Sequence, residues 1–333
     1  MRVVMVLLAA APLVACSDDD GQDAASSSTS TTSTTAADGL VRVEVEGRPS
    51  AVTATGPTLG TIWVASDGDQ DGVGRVRAYA PDTFGAGAVL VAGPSPIALV
   101  PWTDGVWAVG ATGVLAKVDP ASGDQPLATV EVGGALVDGV IVGGRLWVAD
   151  IERSVVHVLD PENGETVADP VVVEAGAVRL VAAGERIWVS GLENQVTPID
   201  VDAVVARQPV TVGQGPIGMA VVRDVLWVAN SDDDTVSRID LESGRPVGEP
   251  LAVGDAPIAL AVDGDAVWVL TQDDASVLRL DVETGEPLGS PVALPMRPRG
   301  VAVAPSGVWV VGVDPSLAVL VPNELGRDVH GLP

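Results

Sequence analysis

An acidic stretch near the start of the folded region has residue types and a spacing that suit a bound metal ion. Residues 66–74 read SDGDQDGVG. Asp67, Asp69 and Asp71 alternate with other residues before a glycine, which is the first half of a calcium-binding loop that wraps a hard cation. The second half differs, because loop position twelve is Ala78 rather than glutamate. This acidic loop (residues 66–74) therefore predicts weakly bound calcium, or magnesium, and it fits a solvated acidic loop as well.

Two other charged residues are predicted to lie at the mouth of a central channel. Asp138 and Arg179 occupy positions at which the related segments of the chain have a small residue, such as Ala98 or Gly218. Two opposite charges in neighbouring segments form either an ion pair that holds the segments together or part of a ligand site. Both interpretations stay open on the sequence alone.

Three arginines add a basic spot on the same predicted face. Arg299 lies one position earlier in its own segment, and Arg297 and Arg48 fall in nearby loops. A guanidinium group suits a carboxylate because it presents its donors in a planar fork. The predicted ligand of Asp138, Arg179 and these arginines is therefore a small anion or the carboxylate of an unknown partner protein.

The sequence shows no constellation of catalytic residues. It contains two histidines, His157 and His330, one tyrosine and a single cysteine, Cys16. His157 is at an ordinary strand position and His330 is in the C-terminal tail, so neither is expected beside a nucleophile. No zinc-ligand cluster and no phosphate-binding loop occurs. We predict no catalytic residue and no cofactor beyond calcium or magnesium.

These residues are placed on a unit that recurs seven times, and residues 214–251 are its clearest copy. Four segments of this copy alternate in polarity or favour strands: residues 217–222, 225–230, 235–240 and 247–253. Turn-forming residues separate them, which predicts four antiparallel strands, named A to D here. A tryptophan in strand B recurs at intervals of 39 to 44 residues. The seven copies are Trp63, Trp107, Trp147, Trp188, Trp227, Trp268 and Trp309.

A period of about 40 residues with four strands per unit is typical of a β-propeller. The predicted fold is all-β, a seven-bladed β-propeller of four-stranded antiparallel blades. The tryptophans are expected to pack between blades, since every unit has one at the same offset. The aspartates that end strand C are expected to form turns. They are Asp119, Asp160, Asp200, Asp240 and Asp281.

The N-terminal end of the domain is predicted to complete the last blade. Residues 41–46 read VRVEVE and alternate like a strand, and the Gly-x-Pro that follows aligns them with strand D of another unit. The seventh unit has strands A, B and C, but residues 323–333 read poorly as a strand D. A strand from the N terminus would fill that place and remove an open sheet edge.

The first residues of the chain are predicted to direct and anchor it. Residues 1–15 have a basic start and a short apolar run, which is typical of a signal peptide. They lead into Leu-Val-Ala-Cys, ending at Cys16, which resembles the lipobox of bacterial lipoproteins. The resemblance implies that Cys16 is lipidated and holds the protein on the cell membrane, facing outside the cytoplasm. Residues 16–38, rich in serine and threonine, are predicted to be a flexible tether to the propeller of residues 39–333.

Charge limits the partners of this protein. The net charge is −27, and Lys117 is the single lysine among 18 basic residues. Such an acidic chain repels nucleic acid phosphates and anionic lipid headgroups. We therefore predict no nucleic-acid partner, membrane attachment through the lipid alone, and a monomer.

The repeat resembles those of two propeller families. The segment of residues 213–244 has the pattern G-x-x-P-x-x-[LM]-A-V-x(4)-[VL]-W-V-A-N-x(3)-D-T-V-x-x-I-D-x-x-S-G. It resembles the YVTN-type repeat and the repeat of virginiamycin B lyase-like (streptogramin lyase) propellers, over the whole folded domain. Resemblance to the lyases implies a site at the channel mouth with a histidine, acidic residues and magnesium. No histidine of this sequence aligns with strand A or a site-facing loop, so no catalytic residue is carried over.

The predicted function is a lipid-anchored extracytoplasmic β-propeller that binds a ligand or a protein without catalysis. The alternative is a divalent-cation-dependent lyase or hydrolase with its site at the channel mouth. A quinone-cofactor propeller is a third interpretation, since it would also repeat a tryptophan in each blade, but no cofactor-specific residue supports it.

Overall fold

Seven separate antiparallel sheets follow one another along the chain and form the seven blades of a β-propeller. The computed structural model describes residues 33–35, 38–45, 47–55, 60–68, 72–81, 83–103, 105–174, 176–305, 307–313 and 317–322. The predicted fold class is therefore confirmed. Residue Cys16, the predicted signal peptide, Asp69, Asp71, His330 and residues 323–333 lie outside the described residues.

The strands are numbered in chain order. Before the first blade come β1 (Ser33–Thr35) and β2 (Val41–Glu44). Blade one contains β3 (Arg48–Thr55), β4 (Thr61–Asp67), β5 (Gly74–Tyr79) and β6 (Ala86–Gly93). Blade two contains β7 (Pro96–Trp102), β8 (Gly105–Gly110), β9 (Val114–Val118) and β10 (Ala128–Glu131), with a short 3-10 helix at Pro120–Ser122. Blade three contains β11 (Leu136–Val142), β12 (Arg145–Asp150), β13 (Val155–Leu159) and β14 (Thr166–Val172).

The later blades follow the same plan. Blade four contains β15 (Arg179–Ala183), β16 (Arg186–Ser190), β17 (Gln195–Asp200), β18 (Val205–Ala206) and β19 (Val210–Thr211). Blade five contains β20 (Pro216–Val222), β21 (Val225–Asn230), β22 (Thr235–Asp240) and β23 (Leu251–Ala252). Blade six contains β24 (Pro257–Asp263), β25 (Ala266–Thr271), β26 (Ser276–Asp281) and β27 (Val292–Ala293). Blade seven contains β28 (Pro298–Ala304), β29 (Gly307–Gly312) and β30 (Leu317–Pro322).

Strand A of each blade faces the axis of the propeller. These inner strands, β3, β7, β11, β15, β20, β24 and β28, pack against one another in chain order, and β28 also packs against β3. The ring is therefore closed. The inner strands begin at the face that has the D–A and B–C loops, and this face is called the entrance face below.

The repeated tryptophans fill the space between blades. All seven have an exposed fraction of 1% or less. Trp147, for example, lies in one core cluster with Ile187 and Val189 of the next blade, and Trp107 lies in a cluster with Leu146 and Val148 of the next blade. Each sheet thus buries its apolar face against a neighbour, which no blade could do alone. The packing role predicted for these residues is confirmed.

The aspartates at the end of strand C form the turns that were expected of them. In each case the side chain accepts a hydrogen bond from a backbone N–H two or three residues ahead, as at Asp160 (2.7 Å to Glu162) and Asp240 (2.7 Å to Ser243). Hydrogen bonds from backbone Ala203 and from Arg207 lower the pKa of Asp200. Such bonds favour the charged form of Asp200. The hydrogen bonds to the backbone show that all five aspartates stabilise turns.

Strand D is shorter than predicted in blade five. The sequence predicts a strand over residues 247–253, whereas β23 spans two residues and an isolated bridge occurs at Pro246. Pro246 and Pro250 have no N–H to donate to the ladder, and Gly248 has a φ of 72°, outside the extended region. The outer edge of this blade is therefore irregular.

The N-terminal strand completes the last blade, as predicted. β2 pairs antiparallel with β30, with Val43 opposite Ala318, and Val43 is fully buried. β1 then pairs with the outer edge of β2. This corrects one prediction: residues 33–35, assigned to a flexible tether of residues 16–38, form a fifth strand on blade seven. The outer edge of β2 presents backbone N–H and C=O groups. A threonine-rich segment favours the extended conformation and can pair with them.

Candidate functional site

The inner strands of all seven blades surround a cavity of about 330 Å³ on the propeller axis. Most of its lining residues come from the first half of each strand, so it lies toward the entrance face. Most of these residues are small or apolar, and three are charged: Asp138, Arg179 and Arg299. The structure therefore brings together three of the residues that the sequence singled out. We call this space the central cavity.

Asp138 and Arg179 occupy equivalent places on neighbouring inner strands. Each lies two residues before the residue that pairs with the blade tryptophan, which is Val140 in β11 and Val181 in β15. The sequence alignment of these two positions is thus correct. In the other blades the equivalent residues are small. They are Ala51, Ala98, Gly218, Ala259 and Gly300.

The contact between these two side chains is loose. The Arg179 Nη1 atom is 3.9 Å from Asp138 Oδ1, whereas it donates a hydrogen bond of 3.1 Å to the carbonyl of Val137. The Asp138 Oδ2 atom accepts a hydrogen bond of 2.9 Å from the backbone N–H of Leu180. The side chain of Asp138 is 18% exposed and that of Arg179 is 36% exposed. Hydrogen bonds from a side chain of one blade to the backbone of the other, rather than the ion pair, join the two blades here.

Burial raises the pKa of Asp138 above its usual range. The positive charge of Arg179 and hydrogen bonds from the backbone of Leu180 and Gly139 act in the opposite direction, but they do not cancel the effect of burial. A carboxylate in this position is costly to charge because it has lost much of its water. Groups that donate a hydrogen bond to Asp138 would stabilise its charged form.

Arg299 lies on the far side of the central cavity from Asp138 and Arg179. Around the closed ring, blade seven is three blades away from blade three in one direction and three from blade four in the other. The Arg299 side chain is exposed, and within the described ranges no residue forms a hydrogen bond or an ion pair with it. Equivalent positions in other blades are apolar or serine, such as Ile97, Ile217 and Ser50. Arg299 is thus a cation that lines the cavity and has no partner in the part of the chain that the structure describes.

Arg297 and Arg48 are exposed on the entrance face but do not line the central cavity. Arg297 lies just before β28, and its Nη2 atom contacts the carboxylate of Asp273 in blade six. Arg48 is the first residue of β3. The predicted basic spot is therefore divided, with one arginine in the cavity and two around its rim.

The acidic loop of blade one is described only in part. Asp67 is the last residue of β4 and is half-buried, while Asp69 and Asp71 lie outside the described residues. Over the part of the chain that the structure describes, no group of three or more His, Cys, Asp or Glu side chains is placed to hold a metal ion. Calcium or magnesium at the acidic loop stays a prediction.

A buried charged cluster in blade three was missed by the sequence analysis, which treated His157 as an ordinary strand residue. The carboxylate of Asp150 is fully buried and accepts hydrogen bonds from Arg153 Nη1 (3.1 Å) and from backbone N–H groups, among them Glu152 (3.0 Å). Its Oδ2 atom is also 3.3 Å from His157 Nε2. Burial acts to raise the pKa of Asp150, but the hydrogen bonds from Arg153 and His157 outweigh it, so the pKa is lowered.

A signal for this cluster was present in the repeat. Asp150 is three residues after the blade tryptophan, and the same position is Asn230 and Thr271 in blades five and six. These residues are also buried. Asn230 donates hydrogen bonds to Thr235 and Ser237 of strand C. The position is a buried polar anchor for the B–C loop, so Asp150 and His157 are structural and lie outside the central cavity.

Lys117, the single lysine, is another structural residue that the sequence did not reveal. Its Nζ atom is 3.5 Å from the ring centre of Trp102 and donates a hydrogen bond of 2.7 Å to the carbonyl of Glu162 in blade three. Lys117 is 4% exposed. A buried ammonium held by an aromatic face and a carbonyl ties blades two and three together at the face opposite the entrance.

Comparisons with known proteins show the fold of this chain. No protein-family model and no curated protein matches it. Among solved structures, it is similar to hydrazine synthase of Kuenenia stuttgartiensis, with a TM-score of 0.69 and 12% identity over 84% of this chain and 97% of that one. It is also similar to the computationally designed Ika8 protein, with a TM-score of 0.63 and 14% identity over 88% of this chain and 93% of that one.

These likenesses are too distant in sequence to indicate an activity, and they show a propeller fold alone. Within the described ranges, no helix has the length and apolar character that crossing a membrane requires. The site itself has two guanidinium groups and one carboxylate around a small cavity. These groups can donate and accept hydrogen bonds and can pair with ions.

Proposed function

We propose that this protein is a binding module whose central cavity holds a small carboxylate ligand, with Arg299 as its main anchor. The observation that supports this most is the Arg299 guanidinium, which faces the cavity without a partner among the described residues. An arginine contributes little to stability when it forms no contact, yet it can bind a carboxylate with two parallel hydrogen bonds.

The surroundings favour one small anion. The chain as a whole has a net charge of −27, so an exposed cation on the cavity wall contrasts with the acidic character of the protein. The lining contributes two positive charges and one negative charge, which leaves one positive charge to be balanced. A cavity of about 330 Å³ is at the lower end of the range for ligand sites. A monoanion of low mass matches both the charge and the size.

Attachment to the outer side of a cell membrane forms part of the proposal. It rests on the Leu-Val-Ala-Cys motif ending at Cys16, after the apolar run of residues 1–15. A lipid-anchored binding propeller would capture its ligand outside the cytoplasm, as a monomer. The alternative of a cation-dependent lyase or hydrolase has less in its favour, because His157 is held by buried Asp150 away from the cavity.

Calorimetric titration of the full-length protein with organic anions tests the binding function. We would use hexanoate, 6-hydroxyhexanoate and adipate, which share a six-carbon chain. At least one is expected to bind, and Arg299→Ala should weaken it by about tenfold or more, since a charge-assisted pair is lost. Arg245→Ala is the matched control, because Arg245 is exposed on the opposite face. Absence of binding for all three, or equal binding by Arg299→Ala, would contradict the proposed function.

A further inference from the structure

The charges around the central cavity are arranged asymmetrically. One side has a lone cation, Arg299, while the opposite side has Asp138 and Arg179 next to each other. A ligand that reaches across the cavity therefore meets a positive charge at one end. At the other end it meets a pair of charges whose sum is zero.

The neutral side can both accept and donate hydrogen bonds. Asp138 uses Oδ2 for the backbone of Leu180, and its Oδ1 is 3.9 Å from Arg179, beyond hydrogen-bond distance. A carboxylate offers about four lone-pair sites, so further donors can approach it. Arg179 has five N–H groups, and the structure gives one of them to the carbonyl of Val137. Both side chains thus have capacity left for a ligand.

The wall between the two ends is apolar or small. It includes Ile97, Leu99, Met219, Ile258 and Val301. A hydrocarbon segment fits beside such residues without leaving a polar group unpaired. The lining therefore has a charged end, an apolar middle and a neutral polar end.

We infer that the ligand is a monocarboxylate with a hydroxyl or amide group at its far end, an inference that rests on the proposed function of the cavity. The carboxylate pairs with Arg299. The hydroxyl or amide donates a hydrogen bond to Asp138 and accepts one from Arg179. For a second carboxylate at this end, attraction to Arg179 is offset by repulsion from Asp138, and for an ammonium group the two effects are reversed. A neutral group that bonds to both side chains avoids this repulsion.

Four probes of equal chain length separate these cases: hexanoate, 6-hydroxyhexanoate, adipate and 6-aminohexanoate. In calorimetric titrations of the full-length protein at neutral pH, 6-hydroxyhexanoate is expected to bind about tenfold more tightly than hexanoate. It should also exceed adipate and 6-aminohexanoate. Equal affinity for hexanoate and 6-hydroxyhexanoate, or a preference for either doubly charged probe, would overturn the inference.

Asp138→Asn gives a second test through a predicted change of preference. Asparagine keeps an oxygen for the N–H of Leu180, so the link between blades three and four is retained. The far end then has the positive charge of Arg179 alone, and adipate should become the tightest probe. An unchanged order of affinities in Asp138→Asn would show that Asp138 does not determine which group is bound at the far end of the ligand.

The outcomes distinguish failure of this inference from failure of the proposed function. If binding depends on Arg299 but has the same affinity for all groups at the far end of the probe, the proposed function is supported and the inferred ligand class is wrong. Binding that is absent, or that does not depend on Arg299, rejects both. Far-UV circular dichroism and thermal melts of every variant identify any loss of binding that comes from misfolding.

Discussion

The Asp138 carboxylate in blade three accepts a hydrogen bond of 2.9 Å from the backbone N–H of Leu180 in blade four. The inner edge of strand A has no neighbouring strand, so its N–H groups need another partner or water. The same device recurs elsewhere, since Ser190 Oγ donates to the carbonyl of Ile217 in the next blade. Asp138 therefore has a structural role beside its place in the cavity, and the two roles can be separated by experiment.

Two substitutions at this residue should differ in stability. Asp138→Ala leaves the N–H of Leu180 without its acceptor and should lower the free energy of unfolding by about 1 kcal/mol. Asp138→Asn keeps the acceptor and should remain within about 0.5 kcal/mol of the wild type at neutral pH. Urea unfolding followed by tryptophan fluorescence measures both. Equal losses for the two variants would show that the charge, rather than the acceptor, links the blades.

The pH dependence of stability should report the burial of Asp138. Its pKa is raised from 3.8 in the folded protein, so the carboxyl binds its proton more tightly when folded. The resulting stabilisation is complete below the ordinary pKa and is lost as the pH rises through the folded pKa. The difference in unfolding free energy between wild type and Asp138→Asn should therefore decline as the pH rises from about 3.5 through the folded pKa. The decline is about 1.4 kcal/mol for each pH unit between the ordinary and the folded pKa, and above the folded pKa the difference should be constant. A difference that grows with pH contradicts this assignment.

Closure of the ring by β2 gives a prediction about folding. Val43 is fully buried against the cluster that contains Trp309 and Val311. Val43→Asp places an unpaired charge there and should abolish cooperative unfolding, as should deletion of residues 40–46. Arg42→Ala, on the same strand, removes only a partly exposed pair with Asp38 and serves as the control. An unchanged melting temperature for Val43→Asp would refute closure through this strand.

The two interpretations of the acidic loop give opposite results in one measurement. A metal ion that binds only the folded protein raises the melting temperature by mass action. Calcium or magnesium, added after EDTA, should raise it if Asp67, Asp69 and Asp71 hold a cation, and Asp69→Ala should remove the rise. No change on adding either ion would establish a solvated acidic loop.

The position of Asp138 and Arg179 could be predicted because the tryptophan offset fixes the register of every blade. Once Trp147 and Trp188 are aligned, the residues nine positions before them must fall at the same height on neighbouring inner strands. A sheet period of two also fixes which side of the strand they occupy. The repeated pattern therefore made it possible to predict the fold, the closing strand and the positions of part of the candidate site.

What the sequence could not supply are facts that depend on closure and on side-chain contacts. The place of Arg299 opposite Asp138 follows from a ring of seven blades, but only the structure shows that Arg299 has no partner among the residues it describes. The distance of 3.9 Å between Arg179 and Asp138 likewise separates a loose pair from a tight one. Pro246 and Pro250 could have indicated the short strand D, since proline interrupts a ladder wherever its N–H is needed.

Asp150, the last residue of β12, holds the B–C loop of blade three through hydrogen bonds from the backbone of Glu152 and Arg153. Its pKa is lowered from 3.8 because hydrogen bonds from Arg153 and His157 outweigh burial. The stabilisation from its charge is therefore complete above the ordinary pKa and is lost as the pH falls through the folded pKa. Asp150→Asn should lower the free energy of unfolding by about 3 kcal/mol at neutral pH, since a buried charged acceptor is lost beside Arg153. As the pH falls below 3.8, the free energies of unfolding of the wild type and Asp150→Asn should converge. His157→Gln should lower the free energy of unfolding by about 1 kcal/mol, because the backbone and arginine donors to Asp150 remain. A loss for Asp150→Asn that is independent of pH would mean that its shape, and not its charge, holds the loop.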